Sequence, residues 1–274
     1  MYEEKFIAFI DILGFGSLVE ASSQDQSIPE KILAALKSIQ PEAIHQEAYA
    51  RINKELIPPG ELERVMEVYT AMTAQMRKMI RVTITYFSDS LVISAPSDDI
   101  ISSQMLLDML AKLSIKLWEE HSLLIRGGIT IGKLIHIENG PLFGPAMNRA
   151  YHLESKLAKN PRILMDASCI EAYRKIQTFE LFESYLQQDG EFYYASLATA
   201  YRHIINDSSL ALAGEKVLEP FRRGFDESHQ RVNKLIESAN DEGICSKFSW
   251  LSQELKSRLP EIRPVEPDEP IIQS

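Results

Sequence analysis

Cysteine is nearly absent. Cys169 and Cys245 are the only two in 274 residues, and neither lies in a CxxC or at ligand spacing from a histidine. That usage excludes a disulfide scaffold and a cysteine-based zinc module, and it predicts two reduced, partly buried thiols in a cytoplasmic protein. Long apolar runs are missing too: no stretch approaches the roughly 20 apolar residues of a membrane span. Met-Tyr-Glu-Glu-Lys leads straight into an apolar strand, so neither a membrane anchor nor a secretion signal is predicted. Positive charge is scarce, and a net charge of -10 argues against a chain whose main work is gripping nucleic acid. The histidines (45, 121, 136, 152, 203 and 229) form no HxxxH or HExxH pair, and Ser88 and Ser90 lie in no GxSxG elbow. Zinc hydrolases and serine hydrolases are left without support.

What remains is a globular chain, 45% hydrophobic and 25% charged, with enough apolar content for a real core. Lys5 to Asp11 (KFIAFID) reads as a short buried strand ending in a carboxylate, followed by Gly14 and Gly16 and a turn into helix. A helical pattern runs from about Pro29 to Met79, broken at Ile57-Pro58-Pro59-Gly60. Arg81 to Phe87 alternates, Ser88-Asp89-Ser90 supplies a turn, and Leu91 to Ser94 returns, which predicts a hairpin. Asp98 is placed to cap a helix whose Leu106, Leu110, Leu113 and Leu117 form one stripe. Leu123 to Ile137 reads as a strand with a bend at Gly127-Gly128. Expected after it are a helix over 146–158, a strand over 162–165, a helix over 167–174, a strand over 192–196, amphipathic helices over 215–259 and a frayed proline-rich tail. The order predicts an α/β (α+β) fold with a mostly antiparallel sheet covered by helices, divided into a sheet-bearing domain over 1–200 and a helical extension over 201–274.

Asp11 at a strand end and Asp89 at a hairpin tip are suited to share divalent metal, since Mg²⁺ is held by a few carboxylates together with substrate phosphates. Each aspartate alone has an ordinary structural job as well, as a helix cap or a turn residue. Gly14, Phe15 and Gly16 open a helix beside Asp11, where backbone N–H groups can meet an anion. His136, near Gly132, reads as a surface or loop residue, and Trp118 and Trp250 as core or interface aromatics.

The segments FIDILGF (9–15), YFSDSLVIS (86–94), RGGITIG (126–132), FGPAMNRAYHLES (143–155) and PRILMDASC (161–169) resemble, in this order and spacing, the class III nucleotidyl cyclase domain. They look closest to the pyrimidine cyclases of bacterial Pycsar anti-phage systems. The resemblance covers roughly residues 4–196 and implies that Asp11, Asp89 and the backbone carbonyl of Ile12 bind two metal ions, Mg²⁺ or Mn²⁺. Asn148 takes the place of the asparagine that orients the ribose. The arginine that follows it in the family is replaced by His152, so that Arg149 or Arg126 is left to supply the charge at the transition state. The family's adenine-reading lysine and aspartate are here Thr85 and Pro141, which implies a pyrimidine pocket with Thr85 and Tyr86 as base-binding candidates.

The function implied is closure of UTP, or CTP, into cyclic UMP or cyclic CMP with release of pyrophosphate, as a second messenger for a separate antiviral effector. Active sites would be shared between two copies of the chain, with no nucleic-acid or membrane partner. The alternatives are a purine cyclase and a degenerate cyclase-like domain that binds nucleotide without turnover.

Overall fold

The computed structural model describes residues 1–25, 27–40, 57–175, 177–206, 215–239 and 241–262. Part of the expected helical stretch between Pro29 and Ile57, and the tail beyond residue 262, lie outside these.

β1 (Glu3–Ile12) is central in the sheet, and its residues show why. Phe6, Ala8, Ile10 and Ile12 point into one apolar cluster, while Ile7 and Phe9 point into another on the opposite face. A strand buried on both faces needs a continuous apolar run, which FIAFI supplies. β1 pairs antiparallel with β3 (Ser90–Pro96) from Lys5↔Pro96 to Asp11↔Ser90, and with β4 (Ile125–His136) from Glu3↔Leu134 to Ile12↔Ile125. β2 (Thr83–Phe87) closes one edge, joined to β3 through Ser88, whose left-handed φ of 53° makes the tight turn. Ser90, expected in that turn, is already in the strand.

Beyond β4 the sheet continues through β6 (Arg162–Met165), β8 (Phe192–Ser196) and β7 (Gln187–Asp189). Every pairing is antiparallel except β4 with β6. The two-residue β5 (Leu142–Phe143) pairs with the far end of β4. The fold is a mixed α/β one with a mostly antiparallel sheet, as the element order predicts.

Helices α1 (Phe15–Ser22), α2 (Ile28–Ser38) and α3 (Leu62–Met79) separate β1 from the hairpin. α4 (Ile100–His121) lays Leu106, Leu110, Leu113, Leu117 and Trp118 into the main cluster. Its cap is Asp99, not Asp98: the Asp99 carboxylate accepts from the Ser102 N–H at 3.0 Å and from its hydroxyl. α6 (Ala167–Lys175), α7 (Glu180–Glu183) and α8 (Leu197–Asn206) join the same side.

The C-terminal helices α9 (Glu215–Ser238) and α10 (Glu242–Ile262) do not stand apart. Phe225, Val232, Leu251, Leu255 and Ile262 belong to the main cluster, and the Trp118 indole N–H donates to Ser228 Oγ at 2.8 Å. The expected boundary at residue 200 falls inside α8, so the extension shares one core with the sheet. No described helix is long and apolar enough to cross a membrane.

The opposite sheet face carries α5 (Pro145–His152) and the single π-helical turn Leu153–Leu157 that continues it, while Trp250 and Glu254 of α10 reach Tyr194 at its β8 end. The helix expected over 146–158 therefore changes pitch midway. Gly128 explains how closely this unit approaches: a Cβ there would run into the Ala150 carbonyl oxygen and the Leu153 Cβ. β4 passes unbroken through Gly127-Gly128, so the pair marks close contact rather than the expected bend.

Candidate active site

Asp11 is the penultimate residue of β1, on the sheet face that meets α5, with Ser90 and Arg126 as its cross-strand neighbours. The Ile12 N–H donates to the Asp89 carbonyl at 3.1 Å, which ties the hairpin tip to the end of β1 and brings the two aspartates together. The Ile12 side chain is buried in the core. Next, Leu13 N–H donates to Leu124 O at 2.8 Å, and Gly14 turns the chain with φ 78° into α1. Nothing lies within 4 Å of where a Cβ would stand on Gly14 or Gly16, so the loop beside Asp11 is open, while Phe15 between them anchors it in the core.

Two further groups complete this corner. Arg126 Nε lies 3.4 Å from Asp11 Oδ2 and also against Glu154 Oε1, without the alignment that would make either Arg126 Nε or Glu154 Oε1 a hydrogen-bonded atom. Glu154 is 3% exposed, held over Gly128 by the π-helical turn. Burial pushes the Asp11 carboxyl up to about 6, the charges of Glu154 and Asp89 add to it, and Arg126 only partly opposes them. Glu154 is raised as well, chiefly by burial, with Arg126 acting against it. Glu154 was not singled out from the sequence. The usable signal was Arg126, a charged residue in an apolar strand that needs a carboxylate partner.

Three carboxylates facing one guanidinium leave an excess of negative charge, which a divalent cation would relieve. Among the described residues no three His, Cys, Asp or Glu side chains are grouped so that they could hold a metal ion by themselves. The donor set thus fits an ion that takes the rest of its oxygens from elsewhere.

Asn148, Arg149 and His152 of α5 line an open groove of about 630 Å³ with Asp166, Glu191 and Phe192. Tyr151 packs its ring edge-on to Phe9 of β1, 5.4 Å between centroids. Arg149 is bonded to Asp166, which is 3% exposed and also accepts from Ser168 N–H at 2.9 Å. Burial acts to raise the Asp166 carboxyl, but the hydrogen bonds from Arg149 and Ser168 outweigh it and leave it below its usual value. The Asp166 hydrogen bond in turn raises Arg149 and fixes its charge. Arg149 is thus held at Asp166, while Arg126 lies beside Asp11.

Thr85 and Tyr86 are adjacent strand residues and face opposite ways. Thr85 lies on the α5 side of the sheet, where its hydroxyl meets His136 Nε2 at 3.0 Å. Tyr86 is 43% exposed on the other side, with its hydroxyl accepting from Gln40 at 3.3 Å. His136 is no surface residue: it is 6% exposed, and its Nδ1 lies 2.8 Å from Ser94 Oγ. Burial, then the charge of Lys5, lowers it to about 4, so it is neutral at physiological pH.

No protein-family model matches this sequence, and no curated protein does either. Solved structures give looser likenesses. The adenylyl cyclase CyaB from P. aeruginosa is similar at 15% identity over 68% of this chain and 84% of that one, with a TM-score of 0.41. A bacterial light-regulated adenylyl cyclase is similar at 16% identity over 63% of this chain, with a TM-score of 0.33, and this chain spans only 45% of its length. Likenesses this distant say nothing of activity, which has to be argued from the residues of the site.

Proposed function

We propose that this chain is a nucleotidyl cyclase that closes a pyrimidine nucleoside triphosphate into its 3′,5′-cyclic monophosphate and releases pyrophosphate. The observation that carries the reading is the carboxylate corner: Asp11 and Asp89 joined through the Ile12–Asp89 backbone hydrogen bond, with burial and then the neighbouring carboxylates raising Asp11 to about 6. Asp11, Asp89 and the Ile12 carbonyl would hold Mg²⁺ or Mn²⁺. Bound there, the ions would supply Lewis-acid activation of the ribose 3′-oxygen and neutralise charge on the phosphates. Gly14, Phe15 and Gly16 offer backbone N–H groups to the triphosphate, and Arg126 adds a guanidinium beside Asp11.

Asn148 would orient the ribose and Arg149, fixed by Asp166, would stabilise the phosphoryl charge; both line the groove beside α5. Two copies set head to tail would bring the aspartates of one chain to the Asn148 flank of the other. Homodimerisation is what the family resemblance implies, and the product would act as a second messenger on a separate antiviral effector.

The test is incubation with each of ATP, GTP, CTP and UTP, with Mg²⁺ or Mn²⁺, and mass identification of the product. A cyclic pyrimidine nucleotide together with pyrophosphate is expected. A purine product would remove the pyrimidine reading alone; no metal-dependent product from any triphosphate would remove the cyclase reading.

A further inference from the structure

Three side chains on the α5 face of the sheet form a chain of hydrogen bonds that no part of the metal chemistry uses. Ser94 Oγ lies 2.8 Å from His136 Nδ1, and His136 Nε2 lies 3.0 Å from Thr85 Oγ1. Neither hydroxyl has a second partner among the described residues, and their surroundings differ. Ser94 is completely buried at 0% exposed, whereas Thr85 is only half-buried.

A neutral imidazole has one N–H and one bare nitrogen, so it can serve this chain in two ways. In the first, the Ser94 hydroxyl donates to bare Nδ1, and Nε2–H donates to Thr85 Oγ1. The Thr85 O–H is then left over, at a half-open position. In the second, Nδ1–H donates to Ser94 and Thr85 donates to Nε2. The leftover O–H is then on Ser94, sealed where nothing can accept it. Both arrangements make two hydrogen bonds. Only the second strands a donor in the core, and an unsatisfied buried hydroxyl is much costlier than one that meets solvent or a ligand. The burial difference between the two ends therefore selects the Nε2–H tautomer. Lys5, buried nearby and paired with Glu3 at 2.9 Å, keeps positive charge close to the ring and helps to hold it neutral.

We infer that Ser94 and His136 are positioning residues that fix the Thr85 hydroxyl as a hydrogen-bond donor, so that it selects a ligand offering a keto oxygen rather than an amino group. Taken with the proposal that Thr85 reads the base, on which this inference rests, the consequence is a choice between pyrimidines. Uracil carries a carbonyl oxygen at ring position 4, where cytosine carries an amine. A donor from Thr85 suits the first and opposes the second, and a site built for one polar edge discriminates strongly against its opposite. UTP is thereby named over CTP.

The test joins a direct view of the proton to a substrate comparison. Nitrogen-15 NMR of the histidine-labelled full-length protein, with the His136 signals assigned by their loss in His136→Asn, reports which ring nitrogen is protonated. The Nε2–H form is expected at neutral pH, moving toward Nδ1–H in Ser94→Ala. The ratio of kcat/KM for UTP to that for CTP is expected to exceed about 10-fold, to collapse toward unity in Ser94→Ala and Thr85→Val, and to survive in Thr85→Ser. An Nδ1–H tautomer in the unmodified protein overturns the inference whatever the substrate. So does a preference for CTP, or a UTP preference that both Ser94→Ala and Thr85→Val leave intact. If nothing is cyclised, calorimetric binding of UTP against CTP decides. UTP bound more tightly, with the Nε2–H form present, retains the inference while the cyclase reading falls; equal or absent binding removes both.

Discussion

The two faces of this sheet are built on opposite principles. The face toward α4, α8, α9 and α10 is apolar almost throughout, with Phe6, Ile10, Leu110, Trp118 and Phe225 completely or nearly buried. The face toward α5 carries a small apolar cluster of Ile7, Phe9, Val92, Leu134, Ala146 and Ala150, ringed by Lys5, Asp11, Arg126, Thr130, His136, Glu154 and Asp166. Charged and polar groups held partly dry destabilise unless every one is paired, and Arg126 Nε and Glu154 Oε1 are not hydrogen-bonded. Stability is concentrated on one face, which leaves the other free to hold strained electrostatics where substrate would bind.

The sharpest way to break this contrast is to truncate one residue on each face. Asp11→Ala or Asp89→Ala is expected to lower turnover by roughly 10³-fold or more, by loss of a metal carboxylate. Near-normal initial rates with Mg²⁺ or Mn²⁺ would refute it. The stability effect should run the other way. Asp11 has a folded-state pKa of about 6, above its usual value, so its charge costs stability at neutral pH, and that cost fades as pH falls through about 6. Asp11→Asn should therefore be more stable than the parent at pH 7.5, by about 1–2 kcal/mol, in urea unfolding, and the difference should shrink by pH 5.

On the apolar face the signs reverse. Trp118 is fully buried, with its N–H bonded to Ser228 and the Arg231 guanidinium over its ring. Trp118→Ala is expected to cost about 3–5 kcal/mol, read as a lowered urea midpoint. Arg126 and Asp11, on the other face, should keep the residual folded fraction active.

A pH experiment sharpens the comparison further. His136 is held neutral with its pKa lowered to about 4, so the unfolded chain takes up a proton at higher pH than the folded one. Its contribution is complete above about pH 6.5 and is lost as the pH falls toward 4, by up to about 3 kcal/mol. Unfolding free energies over that range should fall more steeply for the parent than for His136→Asn; parallel curves would refute the assignment.

The smallest signal divides the polar face itself. If Asp11 and Asn148 serve one site from different chains, mixing inactive Asp11→Ala with inactive Asn148→Ala should restore about a quarter of the parent rate, because half the dimers are mixed and each has one intact site. No recovery despite confirmed subunit exchange would place both residues in one chain's site.

Much of this was legible along the chain because local pattern set it. The KFIAFID run, the hairpin around Ser88 and the leucine stripe of α4 all lie where periodicity puts them. Asp11, Asp89 and Arg126 could be read because each stands at a strand end or interrupts an apolar run. Glu154, His136 and the Arg149–Asp166 pair could not, since their roles come from partners far away in sequence. β5, β7 and α7 are too short for any period to show. Thr85 and Tyr86 face opposite ways because strand alternation sends neighbours to opposite faces. The cap was misplaced by one residue because Asp98 and Asp99 are chemically alike, and only Asp99 reaches Ser102.

The hydrogen bond from Ile12 N–H to the Asp89 carbonyl has a mechanical consequence. Two carboxylates fixed to separate loops would drift independently, and the gap between them would widen and narrow with every fluctuation of the fold. Here the residue after Asp11 is bonded to the Asp89 backbone where β1 and the hairpin meet. That bond couples the backbone of the hairpin tip to the end of β1, so the backbones that carry the two aspartates are expected to move together. A helix α5 that shifts, or a second chain that docks and releases, would then change what stands opposite the pair without altering the spacing within it.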